Sequence, residues 1–277
     1  MGLLKNHTRT IGVIVPDIVT YFFSSIISGI EDKAAENGYY IVIASSQESY
    51  KKEKENIKNL LDLRVDGLIV CLSQDTMDYS HYDEILEAEI PLVFFDRVCR
   101  TDEFSSVIID NGYRKISHIA GPENLNITNE RIIGYKEALQ ECGISFHPEW
   151  MKHCNLSISE SAEVTKELLS LDPLPDAIFG VNDTVIFSAM KEIKKKGLKV
   201  PTDIALVGFS DEFHATVVEP NLTAITHPTF EIGQEAFKLL LNEIESTSEK
   251  EVKQVMLKAG LIPRESSQKR LPNSIPN

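Results

Sequence analysis

Apolar runs without polar alternation, each followed by a helical stretch, set the limits on what this chain can become. Thr10–Val15, 39–44, 67–71 and 92–95 are such runs. A strand that is apolar on both faces is buried on both faces, as in a parallel sheet covered by helices. Between these runs, 22–37 carries Ile26, Ile27, Ile30 and Ala34 at helical spacing and stops at Gly38. Segment 51–63 sets Ile57, Leu60 and Leu61 on one face, and 81–88 is a shorter helix. The alternation then returns. Strands are predicted at Ile116–Ala120, 177–181, 204–208, 222–225 and, late, 251–257. Helices are predicted at 129–142, 159–169, 183–196 and 230–245. The pattern predicts an α/β protein made of two doubly wound parallel-sheet halves rather than one continuous sheet. One junction breaks the rhythm. Residues 106–109 read as a strand, and only about six residues separate it from the next, whereas a parallel crossover needs about a dozen. Either the two strands belong to different domains or a segment is absent.

A length of 277 residues suits one large domain or two ordinary ones and supports a core without disulfides or metals. Charge excludes more. Twenty-eight basic against 42 acidic residues give a net charge of −14, so there is no cation surplus to neutralise phosphates. Nucleic acid is therefore not expected to bind this chain by itself. No apolar run is long enough for a bilayer, and residues 1–7 lack a secretory core, so the expected location is the cytoplasm and no membrane partner is expected. Cys71, Cys99, Cys142 and Cys154 have no paired spacing and read as reduced, mostly buried thiols. There is no G-x-G-x-x-G after the first strand, no P-loop, no G-x-S-x-G elbow and no H-E-x-x-H. No cofactor, metal or catalytic group is assigned, and His118, inside a strand, reads as a core histidine.

What remains is a set of polar residues at strand C-terminal ends, where open α/β sheets hold their ligands. Pro16-Asp17, Asp96-Arg97, Asn182-Asp183 and Ser210-Asp211 each end a strand, and Arg131 lies in the first turn of a helix that follows one. Tyr21, Phe22 and Phe23 follow the first loop. Carboxylates, an amide and a guanidinium beside aromatic faces suit a small polyhydroxylated ligand. Each residue also has a plainer reading. Asn182 or Asp183 caps a helix, Asp96-Arg97 is a surface ion pair, Arg131 is solvated, and the aromatic trio packs a core. The lysines at 191, 194, 195 and 196 suit a helix end favoured by its dipole.

Several motifs stand in order along the chain. They begin with Thr10-Ile11-Gly12-Val13-Ile14-Val15-Pro16-Asp17, Phe22-Phe23 and Gly29-Ile30-Glu31. Arg64-Val65-Asp66-Gly67-Leu68-Ile69, Ile90-Pro91-Leu92-Val93 with Asp96-Arg97, and Glu130-Arg131 with Gly134-Tyr135 follow. Pro175-Asp176-Ala177-Ile178-Phe179, Asn182-Asp183, Val207-Gly208-Phe209, Pro220-Asn221-Leu222-Thr223 and Arg264-Glu265-Ser266-Ser267 complete the series. Together they resemble the effector-binding core of the LacI/GalR family of transcription regulators, and the resemblance covers residues 9–268. It implies two periplasmic-binding-protein-like lobes joined by three crossings, 9–110 with 228–248 and 111–227 with 249–268, flanked by a linker remnant at 1–8 and a frayed tail at 269–277. It also implies a small sugar-like effector in the inter-lobe cleft and pairing as a homodimer. Arg131 matches the arginine that grips the effector, Asp96 and Asn182 match other polar contacts, and Tyr21 and Phe22 match the first-loop wall.

Three departures from the family stand out. The family's helix-turn-helix headpiece would precede the first strand, where only about nine residues stand. DNA binding is therefore expected only through a headpiece missing from this chain. A family helix of about fifteen residues is missing between Asn111 and Gly112, the same place as the short junction. Ser210 replaces a common effector-binding aspartate, and Leu156 replaces a common aromatic. The expectation is thus an effector-binding and dimerisation core that performs no chemistry. Its rivals are an exported sugar-binding protein serving a transporter and an enzyme on a doubly wound fold.

Overall fold

Four strands, β1 (Thr10–Val15), β2 (Tyr40–Ser45), β3 (Gly67–Val70) and β4 (Leu92–Phe94), pair in parallel in the order β2-β1-β3-β4. The strongest apolar run takes an inner position, and Ile11, Val13, Ile14 and Val15 are all fully buried. This computed structural model describes residues 7–96, 112–246 and 253–268. On one face of the sheet, α1 (Tyr21–Glu36) and α7 (Thr229–Glu245) bring Ile26, Ile30, Phe237 and Leu240 onto β1 and β3. Each such side chain contributes about 1.5–3 kcal/mol through its burial. The two helices approach backbone to backbone. A Cβ at Gly29 would lie 2.0 Å from the Phe230 carbonyl oxygen, and one at Gly233 would lie 2.1 Å from that of Ile26. Glycine is required at both positions. The other face is covered by α2 (Tyr50–Asp62), with Ile57 and Leu60 packed on Ile14, Leu68 and Val70, and by α3 (Asp83–Glu87) through Ile85.

A second sheet contains β5 (Ile116–Ala120), β6 (Met151–His153), β7 (Ala177–Gly180), β8 (Ala205–Ser210), β9 (Thr223–Thr226) and β10 (Gly260–Ile262). Its order is β10-β9-β8-β7-β5-β6, parallel throughout except for β10, which runs antiparallel on β9. Tyr135 and Leu139 of α4 (Asn126–Glu141) pack on Phe179, Val207 and Phe209 on one face. On the other, α5 (Ile158–Leu168) and α6 (Asp183–Lys195) pack Val164, Leu168, Val185, Ile186 and Ala189 on Ile178 and Leu206. By contacts, the chain divides into two compact units with breaks after residues 97, 227 and 257. Unit 1 holds the four-stranded sheet and unit 2 the six-stranded one.

Thr10–Val15 and Ile116–Ala120 form strands over the full spans expected. Other ends move by one to three residues. The helix expected at 129–142 starts at Asn126, so Arg131 lies in its second turn, not its first. Two larger differences concern sheet edges. The late strand expected at 251–257 is not where the ladder forms. Residues 253–259 have no regular structure, and Gly260–Ile262 pair with Ala224–Thr226 instead. Apolar alternation alone does not place an edge strand; here Leu261 is the residue that packs onto the Tyr113–Phe209 core. The edge strand β6 was not anticipated, because Met151, Lys152 and His153 are only half-buried and carry no apolar run. The expected strand at 106–109, the short junction and the helix missing between Asn111 and Gly112 lie outside the described residues.

Candidate functional site

In unit 2 the strand ends assemble around Arg131, which is 7% exposed. Its Nη1 donates to the Val181 carbonyl, just past β7, at 2.5 Å. Its guanidinium carbon lies 3.7 Å from the centroid of the Phe209 ring. A buried cation is thus held against a carbonyl and an aromatic face, both of which attract positive charge. His118 and His227 belong to the same cluster. His118 lies flat on Phe179, with ring centroids 4.6 Å apart, and His227 is tilted against Phe209 at 4.6 Å. Burial, reinforced by the charge of Arg131, holds both imidazoles down at about 3, so both are neutral at physiological pH. The Phe179 carbonyl only accepts, so His118 Nδ1, 3.1 Å away, carries the proton and Nε2 is a bare acceptor.

Asn182 caps α6, its Oδ1 accepting from the Val185 N–H at 2.9 Å, so the capping reading holds for it. Asp183 is fully buried and does not face Arg131. It sits on the α6 side of the sheet, where its Oδ2 accepts from the Glu212 N–H at 2.7 Å. Burial is the main cause pushing its carboxyl up to about 7. The nearby Glu212 and Asp211 charges push the same way, against the pull of the Glu212 and Phe209 backbone amides. Ser210 is the last residue of β8. It and Asp211 have left-handed φ angles of 115° and 55°, costly for residues with a Cβ. Asp211 is held by Arg264 at 2.6 Å. Leu156 follows β6 with a φ of 66° and lies near Gly121, Thr128 and Val181, at the same end of the sheet.

Unit 1 presents a matching set. Asp17 accepts from the Val19 N–H at 2.7 Å and the Thr20 N–H at 3.3 Å, a local turn that launches α1. Tyr21 is then the first helical residue and is 52% exposed. Phe22 meets Phe23 edge to face at 5.0 Å and packs partly into the α1 core, so for Phe22 core packing and wall coincide. Asp96 follows β4, half-buried, with a φ of 65°. Arg97 lies outside the described residues.

One unit 1 cluster escaped sequence reasoning. Glu53, fully buried on α2, accepts from the Ser73 N–H at 2.6 Å, the Tyr82 hydroxyl at 2.9 Å and the Thr76 hydroxyl at 3.1 Å, and pairs with His81 Nε2 at 2.9 Å. Ser73 and Ser46 bond through their hydroxyls at 2.7 Å. The loops after β2 and β3 are thereby locked to one carboxyl. The only sequence signal was a glutamate set among the apolar positions of α2. A surface groove of about 510 Å³ between α5 and α6 is lined by charged residues, Glu160, Glu163, Lys191 and Lys195 among them, and by none of the expected site residues. Among the described residues, no helix is long and apolar enough to cross a membrane and no group of metal-ligating side chains occurs.

Two parallel α/β units connected by three passages of chain, each with polar residues at its strand C-termini, define a ligand-binding domain of the periplasmic-binding type. Residues 8–265 match the model of the periplasmic binding proteins and sugar binding domain of the LacI family, and the chain belongs to that family. The similar curated proteins include transcriptional repressors. The chain is 32% identical over 253 residues to the HTH-type transcriptional repressor CytR of Escherichia coli K12, covering 87% of this chain and 74% of that one. To the repressor PurR of Vibrio vulnificus it is 30% identical over 259 residues, covering 88% and 77%. Among solved structures, the transcriptional regulator CelR in complex with cellobiose superposes with a TM-score of 0.84 at 26% identity, covering 94% of this chain and 85% of that one. The chain is thus an effector-binding core of LacI/GalR type.

Proposed function

We propose that this core binds a small polyhydroxylated molecule, a sugar or sugar derivative, and performs no chemistry on it. Each unit contributes its own strand-end wall: Tyr21, Phe22 and Asp96 from unit 1, and Arg131, Leu156, Asn182 and Ser210 from unit 2. The observation that carries this reading is Arg131, a buried guanidinium fixed on Val181 O and the Phe209 ring at the end of β7. So fixed, it meets a ligand oxygen without first losing side-chain freedom. Leu156 and Ser210 make this wall less aromatic and less acidic than the family pattern, which favours a guest with fewer donors facing unit 2. In the full regulator the core works in the cytoplasm as a homodimer. Operator contact falls to a helix-turn-helix headpiece, because a net charge of −14 leaves this core no cation surplus. The effector then acts by preferring one of two conformations.

Isothermal calorimetry tests the reading with cellobiose and a panel of mono- and disaccharides. At least one is expected to bind, and Arg131→Ala is expected to weaken it at least a hundredfold while the circular dichroism of the free protein is retained. Unchanged affinity in the variant, or no saccharide that binds or raises the melting temperature, refutes it.

A further inference from the structure

The acid beside the helix-capping asparagine is too deeply buried to touch a ligand. Asp183 has no exposed surface, and its Oδ1 has no hydrogen-bond partner. That oxygen lies against the backbone of Gly208, where a Cβ would come within 2.3 Å of it, with Leu222 beside the same spot. The other oxygen, Oδ2, holds the Glu212 N–H at 2.7 Å. Glu212 ends the short loop that begins at Ser210, and Ser210 and Asp211 keep left-handed backbones that a free loop would relax. Asp183 is therefore the anchor at one end of a strained loop. The salt bridge between Asp211 and Arg264, at 2.6 Å, is the anchor in its middle.

We propose that Asp183 is a positioning residue whose buried carboxyl holds the Ser210–Glu212 loop in its strained shape, so that the unit 2 ligand wall is set from beneath by a group that never touches the ligand. The ligand half of this statement rests on the function proposed above; the loop half does not. The physical reason is the surroundings of the acid. An ionised Asp183 would leave a charged oxygen bare against Gly208 and Leu222, which costs far more than a bare neutral one. It would also face two like charges on the loop it holds, Asp211 and Glu212. Of these, Asp211 is compensated by Arg264, and Glu212 is eased by His214 in the following turn. The charged groups of the neighbouring α5, Glu160, Glu163 and Lys166, line the outer groove with Lys191 and Lys195. Burial as the leading cause of the raised carboxyl agrees with this geometry. Ionisation is then relieved by opening the loop and letting water in.

Amide exchange of Glu212 in the free chain, followed by NMR on deuterated protein, reads the anchor directly. In the wild type the Glu212 protection factor is expected to fall at least tenfold between pH 5 and pH 7 and to level off above that. Asp183→Asn, which keeps an acceptor and cannot ionise, is expected to hold a flat, high protection factor. Asp183→Ala is expected to lose protection at every pH. A wild-type protection factor that does not change over this range, or Asp183→Asn showing the same fall, overturns the proposal. The wild-type arm needs no variant to fold. Calorimetry then tests the wall. A saccharide that binds wild type is expected to bind Asp183→Asn within about twofold and Asp183→Ala at least fivefold more weakly, and equal binding by Asp183→Ala overturns the positioning role. If no saccharide binds any of the three, the proposed function fails while the exchange result still decides the anchor.

Discussion

Each unit buries one carboxyl completely behind its strand ends, and the two are treated in opposite ways. Glu53 in unit 1 is met by a backbone amide, two hydroxyls and an imidazole. Asp183 in unit 2 is met by backbone amides alone, chiefly that of Glu212 on Oδ2, and its Oδ1 makes no hydrogen bond. The difference teaches that burial alone does not decide what an acid does. A carboxyl that collects enough donors becomes a rivet between loops, whereas one left short is governed by its proton.

The rivet should give the largest effect. Glu53→Ala strands the Ser73 amide, the Thr76 and Tyr82 hydroxyls and His81 without their acceptor. A loss of about 5 kcal/mol in urea-unfolding stability is expected. A loss below about 1 kcal/mol would erase the contrast. Asp183 should show the reverse sign. Its folded carboxyl titrates near 7, above the ordinary carboxylate range, so between about pH 4 and pH 7 the native form keeps a proton that the unfolded chain has released. Stability contributed by that group therefore falls as pH rises through this window and levels off above it. At pH 8, Asp183→Asn is expected to be the more stable protein, by up to about 4 kcal/mol, with little difference at pH 4. Denaturant titrations at both pH values measure this, and a variant less stable at pH 8 would contradict it. Gly208→Ala sharpens the same point, since its Cβ would displace Asp183 Oδ1 and press on Leu222. A cost of about 2 kcal/mol is expected by thermal unfolding. The exposed Lys166–Glu163 pair sets the baseline, and Lys166→Ala should change stability by less than about 0.5 kcal/mol.

The fold was legible where burial was strongest. β1 is an almost wholly apolar run, and β5 is buried at every position with Ile116, Ile119 and Ala120 as its apolar frame. The edge strands β6 and β10 were misplaced or missed because an edge takes its register from its neighbour, not from its own hydrophobicity. The candidate site was readable only as residue types at strand ends, of which Arg131, Asn182 and Ser210 lie at one end of the unit 2 sheet. What the sequence does not contain is which side of the sheet each residue serves. Gly208 and Phe209 alternate, so Asp183 falls on the α6 face while Arg131 falls on the Phe209 face, and that follows only from the register. Glu53 was invisible for a related reason: its donors come from positions 73, 76, 81 and 82, which only the folded loops bring near.

The segments that close each sheet come late in the chain. Unit 1 draws Phe237 and Leu240 from α7 into a core otherwise built from the first hundred residues. In unit 2, Ser266 fastens β8 and β9, its hydroxyl donating to Leu206 O at 2.6 Å and accepting from the Thr223 N–H at 2.8 Å. A ribosome making this polypeptide from its amino end therefore cannot release a finished half early. Each half stays partly assembled, with apolar surface showing, until the segments around residues 240 and 266 have emerged, as would not be so for two consecutive domains.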